Sequence, residues 1–368
     1  MVQRLTTRRG ELELPVFVPD ATRGAIRGVP TSTLPGHGVE ALLVSTAHVA
    51  MAPGASVIKS VGGIHSFMAW DGPVISDSGG FQVYSLLTSP EGLASVNDGG
   101  FSYRFSPKKR LHRLTPDSCV ELQLRLGADI IYCLDYCTHP GAPQEQQERS
   151  VELTIRWARK CRAAFDRATA GMPAGQRPLL FAVVQGGADK ERRTRCAQAL
   201  ADIGFDGYGF GGYPVVNGRL VDEVALVAQL VPAGSTLHAL GIGTPENLVQ
   251  AWQAGYHIFD CALPTRNARR GVLYTHLDLA GLAATLASGS AVPSRFYRVS
   301  RLQDESWVRQ KGPVDPDCDC EMCASLPAAY VAHLFRVEDA LAGLLGSLHN
   351  LRFYARLTAA LRTHATAR

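Results

Sequence analysis

Eight short apolar runs recur along the chain, and each ends in a polar residue or a glycine. They are LPVFVPD (14–20), ALLVSTA (41–47), PVISDSGG (73–80), DIIYCLD (129–135), LLFAVVQGG (179–187), FDGYGFGG (205–212), STLHALGIG (235–243) and YHIFDCALP (256–264). Their apolar character is continuous rather than alternating, which suits a parallel sheet covered on its outer side. Helical patterns lie between most of them. TPDSCVELQLRLGA opens on Thr115, a good N-cap, with Pro116 at the first helical position. DKERRTRCAQALADIG stops on a glycine, and TPENLVQAWQAG repeats the same Thr-Pro start and Gly stop. Eight strands with intervening helices predict an α/β fold of the (β/α)8 TIM barrel class. A Rossmann-like open sheet is the alternative, but no G-x-G-x-x-G follows a first strand.

Reacting groups in such barrels sit at the carboxyl ends of the strands. Those ends carry Asp20, Ser45, Asp77, Asp135, Gln185, Gly211 with Gly212, Gly241 with Gly243, and Asp260. No histidine or lysine stands there as an obvious base. Two carboxylates facing a sugar carbon are the equipment for glycosyl transfer: one attacks the anomeric carbon, and the other protonates the departing group. A third can accept hydrogen bonds from a donor-rich base edge. Gln185 offers both donor and acceptor, and the Gly211–Gly212 backbone offers an N–H. Phe81, directly after Gly79 and Gly80, offers a stacking face. Local alternatives stand beside these roles: Asp77 and Asp135 also suit helix N-caps, and Asp260 suits a salt bridge to Arg266 or Arg269.

Asp260 is followed at once by a basic turn carrying Arg266, Arg269 and Arg270. The stretch YRFSPKKRLHR adds Arg104, Lys108, Lys109, Arg110 and Arg113. Such clusters usually face solvent; around an acidic mouth they can neutralise phosphates flanking a nucleotide whose base enters the pocket. Single-stranded RNA loops supply an unstacked base cheaply. A net charge of only +4 permits a nucleic-acid partner without demanding one.

Nine cysteines are present, and three crowd into DCDCEMC as Cys318, Cys320 and Cys323. Thiolates spaced C-x-C-x2-C among acids can converge on one Zn2+, with His349 of LLGSLHNLRFYARL as the candidate fourth ligand; taken by itself it reads equally as a helix-surface histidine. Four protein ligands make a closed, structural site. The odd count and this spacing point to a reducing compartment. No run of 18 apolar residues predicts a membrane span, and MVQRLTTRRGELELP lacks a signal-peptide core, so a cytoplasmic location is expected. The expected division is a catalytic barrel over 1–290, with a hairpin-like insertion at about 81–114, and a zinc-binding subdomain with C-terminal helices over 291–368.

Seven sets of motifs, in order along nearly the whole chain, resemble the bacterial-type queuine/preQ1 tRNA-ribosyltransferases, the tRNA-guanine transglycosylases. They are SDSGGFQVYSL (76–86), LTPDSCVELQLRLGADI (114–130), VVQGG (183–187), GFDGYGFGG (204–212), LGIGTPENL (240–248), FDCALPTRNARRG (259–271), and CDCEMC with LHNLRFYARL (348–357). The resemblance implies a (β/α)8 barrel with a zinc subdomain that exchanges guanine at the tRNA wobble position for a 7-deazaguanine base. It implies Asp260 as nucleophile on ribose C1′ and Asp77 as general acid/base. Asp135, Gln185 and the backbone at Gly212 would read the base edge, with Phe81 and Leu240 sandwiching the base. Arg266 and Arg269 would contact the anticodon loop, and Cys318, Cys320, Cys323 and His349 would bind Zn2+. A homodimer is the usual bacterial assembly. A non-catalytic tRNA-binding accessory subunit and base exchange on DNA are the competing readings; retention of Asp77 and Asp260 speaks against the first.

The chain departs from the family pattern at STAHVA (45–50), at Tyr136 in DYCT, at Tyr213 and Pro214 in GGYPVVN, and at Leu240 where a methionine is usual. These positions are expected in the pocket wall. Retained Cys137 favours a small preQ1-type base, whereas loss of the usual glutamate would admit a larger one such as queuine.

Overall fold

The computed structural model describes residues 2–288, 292 and 296–366. Each expected run holds one strand: β1 (Val16–Pro19), β2 (Leu42–Val44), β3 (Val74–Ser76), β4 (Ile130–Tyr132), β5 (Leu179–Val184), β6 (Gly207–Phe210), β7 (Thr236–Ala239) and β8 (Ile258–Cys261). All pairings among them are parallel, in the spatial order β1-β8-β7-β6-β5-β4-β3-β2. The ring nearly closes: a parallel bridge joins Asp20 to Leu43, and Ala21 N donates to the Leu43 carbonyl at 2.7 Å. This is the expected barrel.

Side chains fill its centre. Leu43, Ile75, Ile130, Tyr132, Phe181, Val183 and Ile258 form one buried cluster, with Leu12 and Leu14 contributed just before β1. Full burial of such a side chain is worth about 1.5–3 kcal/mol, so the interior is packed rather than open. Near the start of β4, buried Asp129 pairs with Arg8 at 2.7 Å and His65 at 2.8 Å and accepts from Val74 N. Burial alone would raise its pKa, but these donors outweigh it and hold the carboxyl below its usual range. That acid is structurally consumed, at the end of the barrel opposite the strand-end acids.

The helices follow their sequence signals. Thr115 Oγ1 accepts from Ser118 N at 3.2 Å, Pro116 opens that helix, and Gly127 ends it in the left-handed region. The helix Gln144–Thr169 buries Val151, Thr154, Trp157, Ala158, Cys161 and Phe165, an i, i+3, i+4 stripe against the sheet. Between β3 and β4, the chain forms a helix, Gly80–Leu87, and then a three-stranded antiparallel sheet of Ala94–Asn97, Gly100–Tyr103 and His112–Leu114. Lys108, Lys109, Arg110 and Arg113 are exposed on it.

Beyond the barrel, Val272–Thr275 pairs antiparallel with Arg298–Arg301. Helices Glu321–Ser325, Ala328–Arg336 and Ala340–Thr366 follow. Leu273, Leu302, Val314, Met322, Val331 and Phe335 give this region its own apolar cluster. The last helix also packs on the barrel, with the rings of Tyr354 and Phe17 centred 4.3 Å apart. The expected boundary at 290/291 lies outside the described residues. Among the described residues no helix is long and apolar enough to cross a membrane.

Candidate active site

The carboxyl ends of the strands open into a cavity of about 430 Å3. Asp20, Ser45, Asp77, Asp135, Gln185, Gly211, Gly212, Gly241 and Asp260 all line it, as do Phe81 and Leu240. Of the strand-end groups expected from sequence, Gly243 alone does not. A Cβ there would stand 2.4 Å from Cys261 Sγ, so that glycine serves close packing.

Asp77 follows β3. Its Oδ1 accepts from Thr46 N at 2.8 Å and Gly79 N at 3.1 Å, and its Oδ2 accepts from Gln82 Nε2 at 2.7 Å. It does not cap the helix Gly80–Leu87, whose N-cap is Gly79 without a side-chain bond. Burial raises its carboxyl to about 7; the donors from Thr46, Gln82 and Ser45 oppose that rise, and the nearby charge of Asp20 adds to it. A carboxyl poised there can give and take a proton near neutral pH.

Asp260 sits in β8, across the same cavity wall. Its Oδ1 accepts from His238 Nε2 at 2.9 Å and from Gly241 N at 3.1 Å. Among the described residues Oδ2 receives no hydrogen bond, and Asp260 pairs with His238 rather than with Arg266 or Arg269. His238 lies in β7 with no exposed side-chain surface, and its Nδ1 lies 2.6 Å from Tyr132 Oη. Sequence reasoning missed this histidine because it searched strand termini. The available signal was period two: His238 stands two residues before Leu240, on the same face of the strand.

Asp135 is buried, with Oδ1 accepting from Ser78 Oγ at 3.0 Å and Oδ2 from Gln185 Nε2 at 2.8 Å. Burial raises its pKa against those two donors. No helix begins at Asp135, which disposes of the capping role. Gly211 must be glycine, since a Cβ would stand 2.6 Å from the Gln185 amide. Gly212 has a φ of 93°, which turns the backbone along the cavity wall.

The departures from the family pattern separate here. Tyr213 and Pro214 do line the cavity, and Tyr213 joins Phe81, Tyr84 and His139 in an aromatic collar with centroids 5.5–6.5 Å apart. Of STAHVA, only Ser45 reaches the wall. Tyr136 does not, contrary to expectation. Its ring packs against Phe101 and Trp157, and its hydroxyl accepts from Gln146 Nε2. These residues lie past the end of β4, where the chain turns Asp135 and Cys137 to the cavity and Tyr136 to the apolar cluster beside the helix Gln144–Thr169.

Arg266 and Arg270 are exposed and Arg269 half-buried on the short helix Leu263–Ala268 and its end. Exposed Arg27 joins them. Partial burial, and then the like charges of Arg27, Arg266 and Arg270, lower the Arg269 pKa. No ion pair among the described residues neutralises this group, which leaves an anion-seeking surface behind Asp260.

Cys318, Cys320, Cys323 and His349 are buried, and their four candidate ligand atoms lie within 4.8 Å of one another. His349 Nδ1 is 3.5 Å from Cys320 Sγ and 3.4 Å from Cys323 Sγ. His349 Nε2 donates to the Tyr274 carbonyl at 2.7 Å, which fixes the tautomer that turns Nδ1 toward the thiols. The cluster fits a tetrahedral metal ion. The adjacent Asn350 accepts from Tyr274 N at 3.0 Å and donates to the carbonyls of Pro264 at 2.9 Å and Val272 at 3.2 Å.

The chain is 37% identical over 355 residues to the queuine tRNA-ribosyltransferase of Solidesulfovibrio magneticus, covering 96% of this chain and 87% of that one. It is 35% identical to that of Nitratidesulfovibrio vulgaris, with 99% and 89% covered, and 36% identical to that of Nitrosomonas eutropha, with 97% and 91% covered. A family model described as queuine tRNA-ribosyltransferase matches residues 2–367. The chain belongs to the queuine tRNA-ribosyltransferase family.

Proposed function

We propose that the chain is a pentosyltransferase, a tRNA-guanine transglycosylase that exchanges guanine at the anticodon wobble position for a 7-deazaguanine base in queuosine modification of tRNA. The observation that carries this reading is a single cavity lined by Asp77, whose carboxyl is raised to about 7, and by Asp260, which has one oxygen uncommitted among the described residues. Asp260 Oδ2 attacks ribose C1′ while Asp77 gives its proton to the departing guanine. Asp77, now a carboxylate, takes a proton from the incoming base. That base attacks C1′, and the C1′–Oδ2 bond breaks with its electron pair returning to Asp260. Two displacements keep the configuration at C1′.

Asp135, Gln185 and the Gly212 backbone suit the base edge, with Phe81 above and Leu240 below the ring. Arg266 and Arg269 suit the anticodon-loop phosphates. Cys318, Cys320, Cys323 and His349 would hold one Zn2+, a closed site that supplies folding energy and no chemistry. A homodimer and a cytoplasmic setting follow from the family resemblance and from where tRNA is found. A non-catalytic accessory subunit would have no use for a raised acid and a carboxylate oxygen without a donor among the described residues in the same cavity.

The test is a chase: tRNA carrying labelled guanine at the wobble position is incubated with preQ1, preQ0 or queuine in turn. Release of label by at least one base is expected, and release by none overturns the reading. A second outcome concerns pH. Since the raised carboxyl of Asp77 is protonated below about 7, formation of the covalent RNA adduct should be fastest there and fall about tenfold per pH unit above it. Asp77→Asn should erase that slope and slow exchange by about 10^2–10^4-fold.

A further inference from the structure

We infer that His238, held by Tyr132, is a positioning residue that favours departure of Asp260 from ribose in the second displacement. The inference rests on Asp260 being the nucleophile.

The two oxygens of Asp260 are not equivalent. Oδ1 receives two donors, His238 Nε2 and Gly241 N, and Oδ2 receives none among the described residues. Attack therefore comes from Oδ2, and in the covalent adduct Oδ1 is an ester carbonyl, a weaker acceptor than a carboxylate. As the C1′–Oδ2 bond breaks, negative charge returns to the carboxylate. Hydrogen bonds to Oδ1 strengthen with that charge and stabilise Asp260 as a leaving group. The same bonds slightly hold back the first attack, because they stabilise the starting carboxylate.

Tyr132 gives the histidine its direction. Burial, with the charges of Asp260 and Asp135 beyond it, pushes the Tyr132 hydroxyl well above its ordinary value, so the phenol keeps its proton. Among the described residues its Oη has His238 Nδ1 as its one partner, at 2.6 Å. A phenol donating to Nδ1 places the ring proton on Nε2, where it faces Asp260. The backbone N–H of Gly241 cannot be mutated away, so His238 is the side chain that tunes the carboxylate.

The experiment measures single-turnover formation of denaturant-resistant RNA adduct, then its release by added base, in wild type, His238→Leu, His238→Gln and Tyr132→Phe. The wild type must form an adduct. A wild type that exchanges base without one overturns the nucleophile reading itself, and this inference with it. His238→Leu is expected to slow release roughly 100-fold, the effect of losing one oxyanion donor, so that adduct accumulates. His238→Gln, whose amide nitrogen can reach the place of Nε2, is expected to recover release to within roughly tenfold of wild type. Tyr132→Phe loses only a hydroxyl and is expected to slow release by roughly tenfold while leaving KM for tRNA unchanged; it carries the test if His238→Leu fails to fold. An unchanged ratio of release to formation rates in these variants overturns the proposal. So does equal impairment of the leucine and glutamine variants, which would mark His238 as packing alone.

Discussion

Asp260→Ala should lose at least about 10^4-fold in base exchange and form no denaturant-resistant adduct with tRNA. The size of the effect follows from covalent catalysis: without the carboxylate, C1′ has no nucleophile and no intermediate. Binding should survive. The cationic surface of Arg27, Arg266, Arg269 and Arg270 lies behind the carboxylate and does not depend on it. Retained affinity in a gel-shift assay, together with lost exchange, separates a chemical defect from misfolding. Ordinary exchange rates in this variant would end the proposed mechanism.

The second large effect concerns the metal cluster. Cys320→Ser should drop zinc content from one per chain to near zero and cause loss of cooperative thermal unfolding. Structural zinc contributes about 10 kcal/mol or more to folding, comparable with the roughly 5–15 kcal/mol total stability of a domain. The surroundings cannot compensate, because the sulfurs of Cys318 and Cys323, the new hydroxyl and the His349 imidazole would remain packed without the ion that binds them. Metal analysis and a melting curve check both halves of the expectation. A wild-type protein free of metal yet fully folded would refute it.

The barrel was legible because parallel strands covered by helices must be apolar throughout, and each must hand over to a polar or glycine residue where it emerges. That is why Asp77, Asp135, Gln185 and Asp260 could be picked out, and why nearly all the chosen strand ends meet at one cavity. The cysteine cluster was legible from spacing alone. What escaped was pairing across distance. Tyr132 and His238 lie 106 residues apart and touch because β4 and β7 face one another across the barrel interior. Each alone reads as an ordinary core residue. Arg27 escaped for the same reason: it belongs to the loop after β1 and reaches the arginine turn only because β1 neighbours β8. Tyr136 was misplaced because a motif comparison treats DYCT as one unit, whereas the irregular backbone after β4 turns Asp135 and Cys137 to the cavity and Tyr136 to Phe101 and Trp157.

The helix Ala340–Thr366 sets a mechanical condition on the whole molecule. Two successive residues grip the same residue: His349 binds the Tyr274 carbonyl and Asn350 binds the Tyr274 N–H, while Asn350 also reaches Pro264 at the start of the arginine turn. The cysteine cluster and the segment that follows Asp260 are thus tied to neighbouring residues of one helix, a single step of about 1.5 Å apart. Any shortened chain that ends before this helix would forfeit the imidazole of the cysteine cluster and, with the same cut, the clasp on the arginine turn that follows Asp260.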